Sequence, residues 1–542
     1  MTAPSLGERH LAWIASHLPP GAVRVAVVTR DEGDLTTLSA AAAPGSDLRG
    51  HRVSGDPDAL HEQLSVGGRH DLVVDLAQGP GTAARVRLLL PHGRRGGLLL
   101  VLLPRAGAAR DAVLAVLDDV RRLRDGGLRP PARSRDRRTY PERDAHALAA
   151  SVDAAEVEGQ HLVLTMAVAT WAVVREARFD ALLDLDPALG RVVHREPAEL
   201  WKATAPFAGN RGEETPVGAV QAPQLSLRSF ADVVCVRGNV ARRGEVVLPE
   251  TFRNPVRRRP RTPLLAEWLP GSVLDPEHPE PEPLPGAFLH ADNILRGHFG
   301  HAVTEQLSHL WAWERALVEH PDLQLLVDAS RQPVAEWELL LLEAAGVPRE
   351  RVHVATGPVL VERLLASTPA YAIGHYAHPV LRRLHHRVGA ALEHRAPADG
   401  GTDGERLFLT RRGSKRACRN QDDVEALLAR HGFTVLAPEE LSLPEQVARV
   451  RRASVVGGFG GSGLFHPAFS DRPTPMLALT SDNYPLANER MLAALHGHPL
   501  TVVRGVPDLV AEGFSEEAFH SPFVLDLDDL VVGVERTLAH LR

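Results

Sequence analysis

Between residues 11 and 125 the apolar positions change period from block to block. VRVAVVT (23–29) is a short, nearly continuous apolar run of buried-strand type, DALHEQL (58–64) repeats at helical spacing, and DLVVDLA (71–77) is again strand-like. AARVRLLLPHG (83–93) predicts a helix, GGLLLVLLP (96–104) a third strand and AVLAVLDDVRRL (112–123) a further helix. Strands that alternate with helices predict a parallel sheet. LRPPARSRDRRTYPERD (128–144) breaks the pattern with proline and charge and reads as a linker. An ambiguous stretch follows. FADVVCVRGNVARRGEVVLPETF (230–252) then predicts a hairpin, and the proline-rich 254–286, with its EHPEPEPLPG core, is expected to be neither helix nor central strand.

From residue 287 the alternation returns. AFLHADNI, LQLLVDA (323–329) and ERVHVAT are strand patterns, separated by the helix patterns GHFGHAVTEQLSHLWAWERAL and PVAEWELLLLEAAGV. A second series opens at ERLFLT (405–410). It runs through the helix DDVEALLARHG (422–432), the strand FTVLAP, the helix PEQVARVRRA, the strands PMLALT (475–480) and PLTVVRG (499–505), and the closing helix DDLVVGVERTLAHL. No repeat of solenoid period is present.

A chain of 542 residues exceeds one hydrophobic core, so two or three domains are expected. With 44% hydrophobic and 24% charged residues it is globular, and a net charge of −7 argues against a dedicated nucleic-acid binder. Of 61 basic residues only Lys202 and Lys415 are lysine, a bias that reads as a high-GC bacterial genome. Cys235 and Cys418 cannot build a disulfide framework or a zinc site by themselves. The N-terminus lacks signal-peptide character, and the most apolar run, LLLVLLP (98–104), is strand-sized. These features predict a cytoplasmic protein, with peripheral membrane attachment left open.

Three stretches carry candidate chemistry. In SVVGGFGGSGLFHPAF a β run leads into Gly457, Gly458, Gly460 and Gly461 and then a helix start, where backbone N–H groups and a helix N-terminus can hold a phosphate; packing of helix on strand is the plainer use. In GHFGHAVTEQLSHLW, His301 and Glu305 share one helix face. They suit a general base, an ordinary surface pair or, with His298 and His309, a metal site. TRRGSKRACRNQDDV places Arg411, Arg412, Lys415, Arg416 and Arg419 in a strand-to-helix loop, either an anion site or a solvated turn capped by Asn420, Asp422 and Asp423.

The first βα series resembles the later half of a class I methyltransferase domain, with its acidic strand end (DLVVDLA) and its GG strand start (RRGGLLLVL). It departs from that family in having Thr29-Arg30-Asp31-Glu32 where a glycine-rich cofactor loop would follow the first strand. GHFGHAVTEQLSHLW, TRRGSKRACRNQDDV and the stretch GFTVLAPEELSLPEQVARVRRASVVGGFGGSGLFHPAF, in that order, resemble glycosyltransferase family 61 (the DUF563 group) over about residues 225–510. The resemblance implies two GT-B-type Rossmann-like lobes, a nucleotide-sugar donor on the C-terminal lobe, inversion at the anomeric carbon and no metal or other cofactor. It places the catalytic pair on His301 and Glu305, with Glu305 as base. Donor contacts fall on Arg411, Arg416, Glu445, Gln446, Gly458, Gly460, Gly461, Ser462 and Gly463. Gly460 stands where the family has histidine and His466 where it has asparagine, which leaves the donor open.

The expected fold is therefore α/β: a Rossmann-like module over 1–135, a connecting segment over 136–225, an acceptor lobe over 226–400 and a donor lobe over 401–542. The expected activity is inverting, metal-independent transfer from a UDP-linked sugar to a hydroxyl of a glycan or other acceptor. A catalytically inactive sugar-nucleotide binder or scaffold in polysaccharide assembly, and an S-adenosyl-methionine-dependent methyltransferase, are the alternatives. No nucleic-acid partner is expected.

Overall fold

The computed structural model describes all residues except 1–5, 54–55, 128–138, 169, 211–216, 237–239, 253, 257–264, 269–270, 275–279, 293–294, 331, 398–400, 414 and 513–514. The chain divides into two compact units. One comprises 1–193, 228–286 and 357–364, the other 194–227, 287–356 and 365–542. Both are α/β.

In the first unit, Arg24–Thr29, Asp47–Arg52, His70–Asp75 and Gly93–Leu102 form a parallel sheet. Val25, Val27, Leu72 and Val74 pack on one face, and Ala26, Val28, Val73, Leu99 and Val101 on the other. Burial on both faces is why these strands read as continuous apolar runs. The sheet does not stop at 135: the helix Tyr140–Ala150 and the antiparallel strands Val152–Glu158 and His161–Met166 complete it. Most of the expected linker, 128–138, lies outside the described residues. The rest, 139–144, starts a helix, because Pro141 stands in its first turn and the Glu142 carboxylate accepts the Thr139 N–H at 2.6 Å.

The proline-rich segment also differs from expectation. Glu282–His290 is a strand despite Pro283 and Pro285. The Glu282 N–H bonds to the Pro358 carbonyl, so the N–H-less positions 283 and 285 face the opposite side, where pairing with Gln324–Asp328 begins only at Phe288. Within 230–252 the expected hairpin is the antiparallel pairing of the long strand Leu225–Val236 with Val240–Arg243, which in turn pairs with the short strand Val246–Val247.

In the second unit the strands Phe433–Leu436, Arg406–Leu409, Val455–Phe459, Met476–Ser481, Leu500–Pro507 and Phe207–Gly209 lie parallel in that order. From 406–409 the chain passes to a strand on one side and then to 455–459 on the other. That reversal opens a crevice at the carboxyl ends of these two strands, where open α/β sheets bind ligands. The expected boundary at 400 is absent as a division: 287–356 and 365–542 belong to one unit, while 228–286 joins the first, because these strands pair with partners far away in sequence.

Candidate functional site

The crevice between Leu409 and Phe459 is flanked by the glycine loop and the basic loop. Three glycines serve packing. A Cβ on Gly457 would meet Phe408, on Gly458 the Leu409 carbonyl at 3.0 Å, and on Gly460 Leu486 and Thr480 at 2.9 and 3.0 Å. Gly461 is different. Its φ of +145° turns the chain into the short 3₁₀ helix Ser462–Phe469, and a Cβ on Gly463 would make only ordinary contact with Leu409 at 4.0 Å.

Arg411 and Arg416 cross this turn, their guanidinium groups donating to the Gly460 carbonyl at 3.0 and 3.4 Å. Burial, and then Arg416, lower the pKa of Arg411 to about 10. Arg416 has a left-handed backbone (φ +52°), lies over the Tyr484 ring at 4.1 Å, and has a buried Nε without a hydrogen-bond partner among the described residues. Two like charges so held, with donor capacity left over, make a place for an anion. Arg419 is drawn instead to Asp508 and Arg412 to Glu425, so the five expected cations do not act together.

The helix from Phe299 to Glu319 reaches the same place. Residues 302–313 are buried all round, so no polar face dictates a regular helix, and the segment changes form along its length. One α turn (Phe299–His301) leads into a π-helical turn (Ala302–Gln306), a 3₁₀ stretch (Leu307–Ala312) and a final α segment (Trp313–Glu319). Such π turns occur frequently at functional sites. This one brings His301 Nδ1 to 2.8 Å from Glu305 Oε1. A Cβ on Gly300 would lie 2.9 Å from Ser462 and from Phe465, and Phe299 stacks on His466 at 4.5 Å, so the pair sits beside the helix that follows the glycine loop.

His298 lies next to His301, with ring centroids 4.7 Å apart; burial and then His301 lower its pKa, with Lys415 near enough to add to the effect. His309 points elsewhere, to the Ser367 carbonyl at 2.9 Å. Among the described residues no three His, Cys, Asp or Glu side chains converge as metal ligands, so the His298, His301, Glu305 and His309 set does not form the metal-binding group that its spacing allowed.

Residues 299–477 match the sequence profile of the family Glycosyltransferase 61. This segment is a family 61 glycosyltransferase domain. No curated protein matches the chain. Among solved structures, the MycE methyltransferase of the mycinamycin biosynthetic pathway is similar at 16% identity and a TM-score of 0.22, covering 31% of this chain; the chain spans about half, 49%, of that protein's length. Phosphoethanolamine N-methyltransferase 2 from Haemonchus contortus aligns at 8% identity and a TM-score of 0.15 over 99% of this chain and 84% of its own.

Around the glycosyltransferase domain's crevice lie groups that periodicity did not single out. Glu489, fully buried on the helix Ala487–His496, accepts from the Tyr484 hydroxyl at 3.0 Å and keeps Oε2 without a hydrogen-bond partner among the described residues. Burial raises its pKa to about 7, while the Gly461 amide and Arg416 pull it back. Tyr371 donates to Asn488 at 2.7 Å; burial, then Glu489 and Glu305, push its pKa well up. The available signal was compositional: the chain has only four tyrosines, and two of them stand here.

Glu445 and Gln446 are engaged locally. The Glu445 carboxylate caps its own helix by accepting the Ser442 N–H at 2.9 Å. Gln446 donates to the Pro438 and Leu441 carbonyls and holds His466 through Oε1 at 2.8 Å. No described helix is long and apolar enough to cross a membrane.

Proposed function

We propose that the domain transfers a sugar from a nucleotide-linked donor, of which UDP-sugar is the first choice, to an acceptor hydroxyl, with inversion and without a metal. The observation that carries this reading is the His301–Glu305 pair at 2.8 Å, set beside the helix that opens at the glycine loop. Arg411, Arg416 and the N-terminus of Ser462–Phe469 then balance the charge of the leaving diphosphate through fixed donors. The nucleoside runs toward Phe519 and His520, where an open groove of about 630 Å³ lies between Asp508, Leu509, His520 and Pro522.

Within the pair the geometry favours the reverse of the roles expected from sequence. With Nδ1–H directed at the buried Glu305 carboxylate, neutral His301 carries its accepting lone pair on Nε2, and its side chain is the more exposed of the two, at 17% against 10%. Glu305 orients the ring and stabilises the imidazolium, and His301 takes the acceptor proton as that oxygen attacks the anomeric carbon.

The test is sugar transfer by wild type, His301→Gln and Glu305→Gln, each with and without chelator. His301→Gln should fall by about 10²–10⁴ with donor affinity little changed, and Glu305→Gln should also be impaired. Wild-type turnover in His301→Gln would refute the base assignment. Loss of wild-type activity on chelation, restored by added metal, would move the reading to a metal-assisted reaction.

A further inference from the structure

The π-helical turn that joins His301 to Glu305 is held from outside its own segment. His385, fully buried on the helix Val380–His394, has Nε2 at 3.2 Å from the Val303 carbonyl in the middle of that turn. A carbonyl can only accept, so His385 donates from Nε2, and its Nδ1 must then accept. The atom facing Nδ1, at 3.1 Å, is Nε2 of the buried His496. His496 therefore donates from Nε2 and accepts at Nδ1, where Nε2 of His386 stands at 3.2 Å. One polarity runs from the half-buried His386 through His496 and His385 to Val303. Each ring is neutral in the Nε2–H tautomer, in keeping with burial that lowers the pKa of all three and holds His385 at about 4.

The neighbouring carbonyls of the irregular helix are taken up by its own side chains, Gly300 by Thr304 at 2.8 Å and Glu305 by Ser308 at 2.6 Å. Val303, between them, is reached by a donor 82 residues away. A side chain bonded into the middle of a helix is one way its regular ladder is interrupted. We propose that His385 is a positioning residue. By donating to Val303 it fixes the π-helical turn, and with it the approach of His301 to Glu305, while His496 and His386 lock it in the tautomer that can donate. This rests on the reading of the His301–Glu305 pair as the proton acceptor.

The experiment measures turnover and donor KM for wild type, His385→Phe and His385→Gln, with His301→Gln as control. A shift of the pair by about 1 Å is enough for a 10²-fold loss, so His385→Phe should lose about ten- to a hundredfold in kcat with donor KM within about twofold. Gln places an N–H at a reach similar to Nε2 and should recover most of the turnover. Wild-type kcat in His385→Phe overturns the proposal. So does a Gln variant, folded by its melting curve, that is as impaired as Phe. If the Phe variant does not fold, ¹⁵N-histidine spectra of wild type decide between pH 6 and 8: an Nε2–H signal for His385 supports the proposal and an Nδ1–H signal overturns it. The control separates the two readings. An active His301→Gln removes the base reading and the positioning claim together, whereas an inactive one beside an active His385→Phe removes the positioning claim alone.

Discussion

At the scale of single residues, the proposed anion site rests on two arginines held by aromatic rings and by one carbonyl. Arg416 lies on Tyr484 at 4.1 Å and Phe519 at 5.4 Å, and its Nε, without a partner among the described residues, can gain a charge-assisted bond from a diphosphate. Such bonds contribute roughly 1.5–3 kcal/mol, so Arg416→Ala should weaken UDP binding about tenfold or more. Calorimetry showing unchanged affinity in that variant would dismiss the assignment. Glu489 yields a pH prediction. Its pKa is raised from 4.5 to about 7, chiefly by burial, so between these values the folded protein holds a proton that the unfolded chain has lost. Its contribution to stability is therefore complete below about pH 4.5 and is lost as pH rises through 7, a change on the order of 3 kcal/mol. Glu489→Gln cannot titrate there. The difference in unfolding free energy, variant minus wild type, should rise from pH 5 to pH 8, and denaturant curves giving a flat difference would contradict it.

Among the elements, the N-terminal sheet has parallel strands alternating with helices, but the carboxyl ends of its strands are filled. After Arg24–Thr29 the Asp31 side chain caps the next helix by accepting the Gly33 N–H at 2.9 Å, and Thr29 donates to Asp34 at 2.6 Å. Asp75, at the end of the neighbouring strand, is fully buried against Arg85 at 2.8 Å. Cofactor hydroxyls would have to displace a buried ion pair, whose disruption typically costs about 3–5 kcal/mol. Titration of the full chain with S-adenosyl-methionine should accordingly show no saturable heat, and a stoichiometric isotherm would reverse this conclusion. The helix Phe299–Glu319 teaches the complementary lesson. Its apolar pattern located it correctly, but burial on every side left its π and 3₁₀ turns to tertiary contacts.

For the whole molecule, the chain enters the first unit three times, over 1–193, 228–286 and 357–364, so the matched segment cannot be cut out at one point. Arg228, buried among Glu176 at 2.7 Å, Asp180 at 2.7 Å and Glu250 at 3.1 Å, would lose two of its three carboxylates in a chain starting at 194, and Phe230 would lose Phe179. A 194–542 fragment should show no cooperative melting transition by calorimetry, and a sharp one would disprove the dependence. Periodicity located most strands and helices of 23–123 and 405–541, because burial on both sheet faces and on one helix stripe leaves its mark within a few residues, but it passed over the strand Asp47–Arg52 and the helices Glu32–Ala41 and Ala487–His496. The glycine loop, the basic loop 411–419 and the His301–Glu305 spacing were also legible in the sequence, and the family resemblance singled out Arg411 and Arg416 among the five cations. Tertiary structure decided which glycines pack strands and which turn the chain, that Glu445 caps a helix, that Glu489 and Tyr484 face the arginines, and that the His385 ring meets the Val303 carbonyl. Those outcomes depend on partners such as His385 and Val303, 82 residues apart, which no local pattern records.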